Sequence, residues 1–372
     1  MAASNAALGV IPQSLRAAQL KRLSFLCGLP VGGRKEELIT RLTAAAAAAA
    51  SPPSHSRADP VVLSIDLGIR NLAFSLMTPV SASAVGKSTA KSKKTRSGNS
   101  ANQSAYLGTS PPGIKLHAWK RLSLLDGAAT SSSGDGDVAL EIDTPTETFS
   151  PAELARTANA FLQETVMQFK PLPTYILIER QRWRSGGAAA IQEWTVRVNT
   201  LEAMLHASLR TLHDVGIWKV QVTSVRPERV GQLFLDAENP DLKGIGEDET
   251  DASSDRKSSG KRAGGRKTSA ESKKLKIELL GRWLGQGDSV IAPGNSEAGL
   301  MLDAYRHALL KGAKRSRSKR VAGDEETGEE RVVLGSKLDD LTDSLLQGMA
   351  WLRWQENMAL LRLENGVEQL LK

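Results

Sequence analysis

The stretch VVLSIDLGIRNLAFSLM, from Val61 to Met77, decides the fold of this 372-residue chain. Its first six residues form a mostly apolar run of strand length that ends at Asp66, and a second such run starts at Leu72. The glycine-bearing turn between the two runs predicts a β-hairpin with Asp66 beside its turn. A carboxylate at the end of a buried strand indicates a polar site at that end of the sheet.

The residues after the hairpin predict three more strands and a crossover helix. Ile114 to Leu122, Tyr175 to Ile178 and Ile217 to Val222 have the length and composition of strands. Before the fourth strand, Ser150 to Glu153 (SPAE) forms a capping box with proline at the first helical position. A helical crossover normally returns the chain parallel to an earlier strand. This order predicts an α/β fold with a ribonuclease H-like mixed sheet of five strands, flanked by helices.

Apolar residues at helical spacing predict further helices around the sheet. These are Ala188 to His213, Arg226 to Leu235, Lys274 to Leu284, Leu300 to Leu310 and a final helix from near Lys337 through Trp354. Residues 79–112, 239–273 and 311–331 are polar, lack an apolar period and are predicted to be flexible insertions. The main domain is therefore expected to extend over residues 61–372 with three interruptions.

Two short amphipathic helices are predicted before the main domain, at Ser14 to Leu26 and Arg34 to Leu42. The turn and second helix, CGLPVGGRKEELITRL from Cys27 to Leu42, resemble the SAP motif, a small DNA-binding module whose basic helix ends contact the duplex backbone. Residues 1–43 are thus predicted to be a SAP-like module and residues 44–60 a linker. An ordinary helical hairpin or a targeting segment would give a similar pattern. The candidate DNA contacts here are Lys21, Arg22, Arg34 and Lys35.

Charge and cysteine content narrow the possible functions. The formal net charge is +8 and the sequence pI is about 9.5, which favours an anionic partner such as nucleic acid. Cys27 is the only cysteine, which rules out an intramolecular disulfide and argues against a cysteine-based zinc site. The sequence contains no run of about 18 strongly apolar residues, so we expect no membrane-spanning segment.

Four acidic residues occupy positions that suit metal-dependent phosphodiester chemistry. Asp66 and Glu179 each end an apolar strand, and Asp340 and Asp343 lie three residues apart near the start of the last helix. Asp339 and Asp343, four residues apart, would share a helix face almost as well, and the sequence leaves this choice open. Hard cations such as Mg²⁺ prefer oxygen ligands, and two ions about 4 Å apart can clamp both the attacking water and the leaving oxygen.

Each acid also has a structural explanation when it is taken alone. Asp66 would cap a turn, Glu179 would pair with Arg182, and the aspartates at 339–343 would favour a helix N-terminus. Taken together these explanations are weaker, because two of the acids end strands that are expected to be neighbours. The sequence therefore favours one carboxylate site built from all three segments.

Three blocks of the sequence are similar to the fungal mitochondrial Holliday-junction resolvases, the cruciform-cutting endonuclease family. They are SIDLGIRNLAFSL (64–76), ILIERQRWRS (176–185) and KLDDLTDSLLQGMAW (337–351). The resemblance implies a ribonuclease H-like fold, a homodimer, Mg²⁺ or Mn²⁺ dependence and paired nicks across four-way junction DNA in the mitochondrion. It also implies that Asp66, Glu179, Asp343 and one or both of Asp339 and Asp340 are metal ligands. The candidate DNA contacts beside them are Arg70, Gln181, Arg182, Arg184 and Lys337.

Three other functions remain open at this stage. The segment IDLGIRN is also similar to the first phosphate loop of actin-like ATPases, but no second glycine-rich phosphate loop follows in a strand-turn context. A ribonuclease that acts on RNA–DNA hybrids would need the same acids. A non-catalytic DNA scaffold would use the basic surface alone.

Overall fold

The computed structural model describes residues 11–49, 59–80, 107–124, 149–181, 191–235, 269–317 and 338–372. A six-stranded sheet with the order β5-β4-β1-β2-β3-β6 lies at its centre. The strands are β1 (Val62–Asp66), β2 (Leu72–Pro79), β3 (Ile114–Leu122), β4 (Tyr175–Glu179), β5 (Gln221–Val225) and β6 (Ile291–Pro293). The first three strands are antiparallel neighbours, and β4 lies parallel to β1, as the crossover helix predicted.

Helices cover both faces of this sheet. They are α1 (Ala17–Leu26), α2 (Lys35–Ala48), α3 (Pro151–Ala160), α4 (Glu193–Asp214), α5 (Pro227–Leu235), α6 (Ser269–Gly285), α7 (Ser296–Arg317), α8 (Asp339–Leu360) and α9 (Gly366–Leu371). The helix α3 begins at the predicted cap, where the Ser150 Oγ accepts a hydrogen bond from the Glu153 N–H at 3.3 Å. Within the described ranges, no helix combines the length and apolar character that a bilayer-crossing segment needs.

Alternating side chains of β1 supply two separate hydrophobic cores. Leu63 and Ile65 point to the face that α3 and α4 cover, whereas Val62 lies in the core on the opposite face. The second face carries α8, which contacts β1, β2 and β3. Nearly every residue of α8 from Leu341 to Trp354 is buried, as expected for a helix that is enclosed on all sides. Asp343 is the exception in this stretch, so the buried helix opens to solvent at a carboxylate.

Two predictions about the strands were wrong. The sheet has a sixth strand, β6, which pairs in parallel with β3 over three residues and is too short to stand out from its surroundings. The fifth strand is Gln221–Val225 rather than 217–222, because its pairing with β4 begins at Gln221, opposite Tyr175. Ile217 is 67% exposed, so the apolar residues before Gln221 do not all belong to a buried strand.

Several predicted element ends were also wrong. The predicted linker at 44–60 starts too early, since α2 continues through the alanine run to Ala48, and alanine has the highest helix propensity. The predicted insertions at 239–273 and 311–331 overlap helices, because α6 begins at Ser269 and α7 continues to Arg317. The last long helix begins at Asp339 and ends at Leu360, beyond the predicted Trp354.

The two N-terminal helices share the core on the α8 side of the sheet. Their buried leucines pack in the same cluster as residues of α8 and α9. The Asn357 side-chain amide donates hydrogen bonds to the backbone carbonyls of Leu26 at 2.6 Å and Gly108 at 2.8 Å. Gly28 has a φ of +67°, and a Cβ there would lie 2.4 Å from the Trp354 ring, so glycine is required on both grounds. The N-terminal helices therefore pack closely on the rest of the chain.

Candidate active site

Asp66 and Glu179 meet at one edge of the sheet because their strands are parallel neighbours in register. Ile65 lies opposite Ile178, so the next residue of each strand reaches the same edge. The two carboxyl groups are joined by a side-chain hydrogen bond. The predicted convergence of two acids from strands 113 residues apart, 66 to 179, is thus present in the structure.

The pKa directions of these two acids describe a strongly coupled pair. Burial raises the pKa of Asp66 well above its ordinary value, and the hydrogen bond and negative charge of Glu179 raise it further. Burial also raises the pKa of Glu179, although the hydrogen bond from Asp66 opposes this effect. Burial therefore raises the pKa of both acids, and the two carboxyl groups titrate as a coupled pair. Adjacent carboxyls in such surroundings share a proton unless a cation compensates their charge.

The helix α8 brings the late aspartates to the same edge. The negative charges of Asp343 and Asp340 both act on Asp66 and raise its pKa, after the larger effects of burial and Glu179. Asp339 is held differently, since the Lys273 Nζ donates to its Oδ2 at 2.6 Å. Burial works to raise the pKa of Asp339, but the hydrogen bond and charge of Lys273 together with backbone hydrogen bonds outweigh it and lower that pKa. Asp340 and Asp343 are thus the aspartates of α8 whose charges act on Asp66.

Buried hydrogen bonds fix α8 against the strands that carry the other acids. The Gln347 Nε2 donates to the Ser64 Oγ and to the Ile65 carbonyl, both at 3.1 Å, and lies 3.5 Å from the Leu177 carbonyl. Two strand side chains also donate hydrogen bonds to backbone carbonyls of α8. The Ser75 Oγ donates to the Ser344 carbonyl at 3.0 Å, and the Trp119 Nε1 donates to the Leu341 carbonyl at 2.9 Å. Gln347 follows Asp343 by one helical turn, so these bonds also set the position of Asp343.

Basic side chains that the sequence analysis did not identify contact the late aspartates. The Lys276 Nζ of α6 lies 2.8 Å from the Asp343 Oδ1, and this lysine side chain is only 13% exposed. The Arg121 Nη1 of β3 lies 3.8 Å from the Asp340 Oδ2. The charge of Lys276 also lowers the pKa of Glu179, so one lysine acts on two of the acids. Nothing in the local sequence of α6 marks Lys273 and Lys276 as partners of the aspartates, because Asp339 and Asp343 lie more than sixty residues away.

The donor set fits a hard divalent cation. As the side chains of the described residues are placed, no three His, Cys, Asp or Glu groups lie close enough together to hold one metal ion. Asp66 and Glu179 are bonded to each other, and lysines hold Asp339 and Asp343. Carboxylate oxygens are the preferred ligands of Mg²⁺ and Mn²⁺. A divalent cation would compensate the negative charge that burial and the neighbouring acids disfavour at Asp66, which is the physical basis for this fit.

The predicted DNA contacts have different surroundings. The Gln181 N–H donates to the Glu202 Oε2 at 3.3 Å and its Nε2 donates to the Leu67 carbonyl at 3.2 Å, so Gln181 ties the two acid-bearing loops to each other and to α4. Arg70 is exposed, with its guanidinium 5.7 Å from the centre of the Trp194 ring. Arg182, Arg184 and Lys337 lie outside the described residues.

The basic residues of the N-terminal helices mark one more predicted DNA-binding surface. Lys21 and Arg34 are exposed, and Lys35 is half-buried. The Arg22 guanidinium lies over the Phe25 ring at 5.5 Å from its centre. Their contact with DNA stays a prediction.

This sheet, with acids at the ends of β1 and β4 and on a helix packed against them, defines a ribonuclease H-like fold. The crystal structure of the yeast mitochondrial Holliday junction resolvase Ydc2 has the same fold, with a TM-score of 0.51 and 22% sequence identity. That comparison covers 95% of this chain and 98% of the yeast protein. The predicted fold class is confirmed, with one strand more than expected.

The chain belongs to the family described as mitochondrial resolvase Ydc2 / RNA splicing MRS1, whose model matches residues 62–361. The mitochondrial cruciform cutting endonuclease 1 of Schizosaccharomyces pombe is 31% identical over 188 residues, 50% of this chain. The match spans about half, 53%, of the length of that relative. The protein of the same name from Saccharomyces cerevisiae is 24% identical over 362 residues, covering 93% of this chain and 83% of the relative. The resemblance found in the three sequence blocks is confirmed at the family level.

Proposed function

We propose that this chain is a divalent-metal-dependent endonuclease that resolves four-way DNA junctions. The observation that carries the proposal is the carboxylate pair Asp66 and Glu179, on which the charges of Asp340 and Asp343 also act. The family description covers both a resolvase and an RNA splicing protein, so membership alone does not choose between them. A pair of coupled acids with two further aspartates near it has no use in a protein that binds nucleic acid only through basic residues, and its presence favours the nuclease.

Asp66, Glu179, Asp343 and Asp340 are the residues that would hold Mg²⁺ or Mn²⁺, with two ions per site. When bound, such ions lower the pKa of a water molecule and stabilise the charge on the departing oxygen. The contribution of the chain is to orient oxygen ligands from two strands and one helix toward a single edge. Asp340 is preferred to Asp339 as the fourth ligand, because its charge acts on Asp66 while Asp339 pairs with Lys273.

Basic side chains near the acids would bind the DNA backbone. Arg70 extends from the turn that follows Asp66, and the net charge of +8 favours a polyanionic partner. The exposed Lys21 and Arg34 of α1 and α2 would contact one arm of the junction.

A homodimer would place two such sites on a two-fold symmetric junction, which suits paired nicks. The relatives are named as mitochondrial proteins, and we propose the same compartment for this chain.

The deciding experiment compares the wild-type protein with Asp66→Asn on a synthetic four-way junction in Mg²⁺. We expect Asp66→Asn to lose at least about 100-fold in cleavage rate while it still binds the junction, because an amide cannot replace an anionic metal ligand. Asp303→Asn is the matched control. Asp303 makes an i,i+3 ion pair with Arg306 on α7, and its side chain is 68% exposed. Unchanged junction cutting by Asp66→Asn would refute the proposal.

Two extensions of the same assay test its finer parts. Asp340→Asn is expected to reduce cutting much more than Asp339→Asn, and the reverse order would assign the fourth ligand to Asp339. Linear duplex and RNA–DNA hybrid serve as competing substrates. Faster cleavage of the hybrid than of the junction would replace the proposed function with that of a ribonuclease. Light scattering of the purified protein tests the homodimer.

A further inference from the structure

An exposed apolar surface lies at the start of α4. Trp194 is 39% exposed, Val196 is 44% exposed and Ile191, just before the helix, is 37% exposed. A large aromatic side chain on the surface loses the stabilisation that burial would provide. A tryptophan in such a position therefore indicates a binding role when its ring is also held in place by neighbours.

Neighbouring rings and guanidinium groups hold this indole. The Phe149 ring meets it edge-on, with a centre-to-centre distance of 5.8 Å and an interplanar angle of 75°. The Arg70 guanidinium lies over the Trp194 ring at 5.7 Å, and the Arg197 guanidinium lies over the Phe149 ring at 3.9 Å. The surface thus combines a partly exposed indole with the positive charge of Arg70, which is the combination that binds single-stranded nucleotides, while the charge of Arg197 is paired with Glu193.

This surface belongs to the same edge of the sheet as the acids. Arg70 follows Asp66 by four residues, so the two Cα atoms are at most about 14 Å apart. Successive phosphates of one DNA strand advance by about 3.4 Å along the helix axis, so the surface lies within a few nucleotides of Asp66. The Gln181 N–H also ties the loop after Glu179 to Glu202, two helical turns along α4 from Trp194.

We propose that Trp194 is a stacking platform for a nucleobase next to the branch point, with Arg70 binding the phosphate of the same strand. This inference rests on the proposed function and adds the subsite that recognises the junction. Bases at a branch point can leave the duplex stack, and an aromatic ring compensates for the stacking that they lose. A nucleotide matches both parts of the surface, because its base has a π face for the indole and its phosphate has charge for Arg70. The Arg70 guanidinium beside the ring favours a polyanionic occupant such as DNA.

The test measures binding of a four-way junction that carries 2-aminopurine at the branch point, in EDTA so that the DNA stays intact. Trp194→Ala should weaken junction binding by about 5- to 100-fold and remove the fluorescence change of the probe, while linear duplex binding stays the same. Trp194→Leu keeps apolar bulk without a π face and should behave like Trp194→Ala. Trp194→Phe should retain most of the binding and most of the fluorescence change.

Ile217→Ala is the control, since Ile217 is 67% exposed and follows the other end of α4. It should bind the junction as the wild type does. Junction binding by Trp194→Leu at wild-type affinity would overturn the inference. The inference would also be overturned if light scattering showed that the wild type is a dimer and Trp194→Leu is a monomer, because the surface would then be a protein interface. A wild-type protein without preference for the junction over duplex would instead refute the proposed function itself, so the two failures are distinguishable.

Discussion

Replacement of Gln347 by leucine tests whether α8 is positioned by buried hydrogen bonds. Gln347 is 3% exposed and its amide donates to the Ser64 Oγ and the Ile65 carbonyl at 3.1 Å. Leucine has a similar length but no donor, so these groups would lose a partner inside the protein. Because Ile65 immediately precedes Asp66, the substitution acts on the backbone that presents this acid.

The size of the effect follows from the contacts that are lost. A buried polar group left without a partner destabilises a protein by about 1–3 kcal/mol, and two such groups are affected here. The apolar leucine offsets part of this loss, by about 1 kcal/mol. We therefore expect the free energy of unfolding to fall by about 2–4 kcal/mol. For a protein of this size the melting temperature should fall by roughly 3–8 °C.

Thermal melting with and without Mg²⁺ measures both consequences of the substitution. In addition to melting earlier, Gln347→Leu should gain less stability from Mg²⁺ than the wild type, because Asp343 lies one turn before position 347. The control is Gln355→Leu, two turns further along α8. Gln355 is half-buried and makes no hydrogen bond through its side chain within the described residues. Equal melting curves for the two variants would refute the positioning role of Gln347.

Three other predictions concern pH, packing and the N-terminal helices. Because burial raises the pKa of Asp66, the folded metal-free protein favours the neutral acid, so its stability should fall as pH rises from about 4 through the raised pKa. Asp66→Asn should make this slope shallower in urea unfolding series in EDTA, and the slope that remains belongs to Glu179, whose pKa burial also raises. Gly348→Ala would place a Cβ 2.4 Å from the Met77 Cε and should lower the free energy of unfolding by about 1–3 kcal/mol. A double-mutant cycle with Met77→Ala should show that the effects of the two substitutions on stability are not additive. Asn357→Leu removes the donor to the Leu26 carbonyl and should lower the free energy of unfolding by about 2–4 kcal/mol. Trypsin should then cleave within α1 faster than in the wild type, which mass spectrometry of the fragments measures.

Local patterns were sufficient to predict the part of the fold that carries the acids. The apolar run ending at Asp66, the hairpin turn and the strand ending at Glu179 are each encoded within a few neighbouring residues. The cap at Ser150 marked the crossover helix, and the crossover in turn predicted that the two acid-bearing strands are parallel. Because parallel strands in register end at the same edge, the meeting of these two acids followed from the order of elements alone.

Contacts between distant segments could not be predicted in this way. Lys276 binds Asp343 from 67 residues away, and Gln347 binds Ser64 from 283 residues away. A lysine on an amphipathic helix and a glutamine in a leucine-rich helix look the same in a sequence whether they face solvent or a partner. The exposed Trp194 also had the spacing of a core residue, and only the structure places its ring at the surface.

Directional contacts are required at this site because apolar packing does not fix the position of a helix along its own axis. The face of α8 is lined with leucine, methionine and alanine, whose apolar contacts have no direction of their own. A slide of one turn, about 5.4 Å, would carry Asp343 away from Asp66. The amide of Gln347, bonded to the Ile65 carbonyl, allows one position only. Buried polar bonds therefore specify where the carboxylates meet, while the leucines around them supply most of the stability.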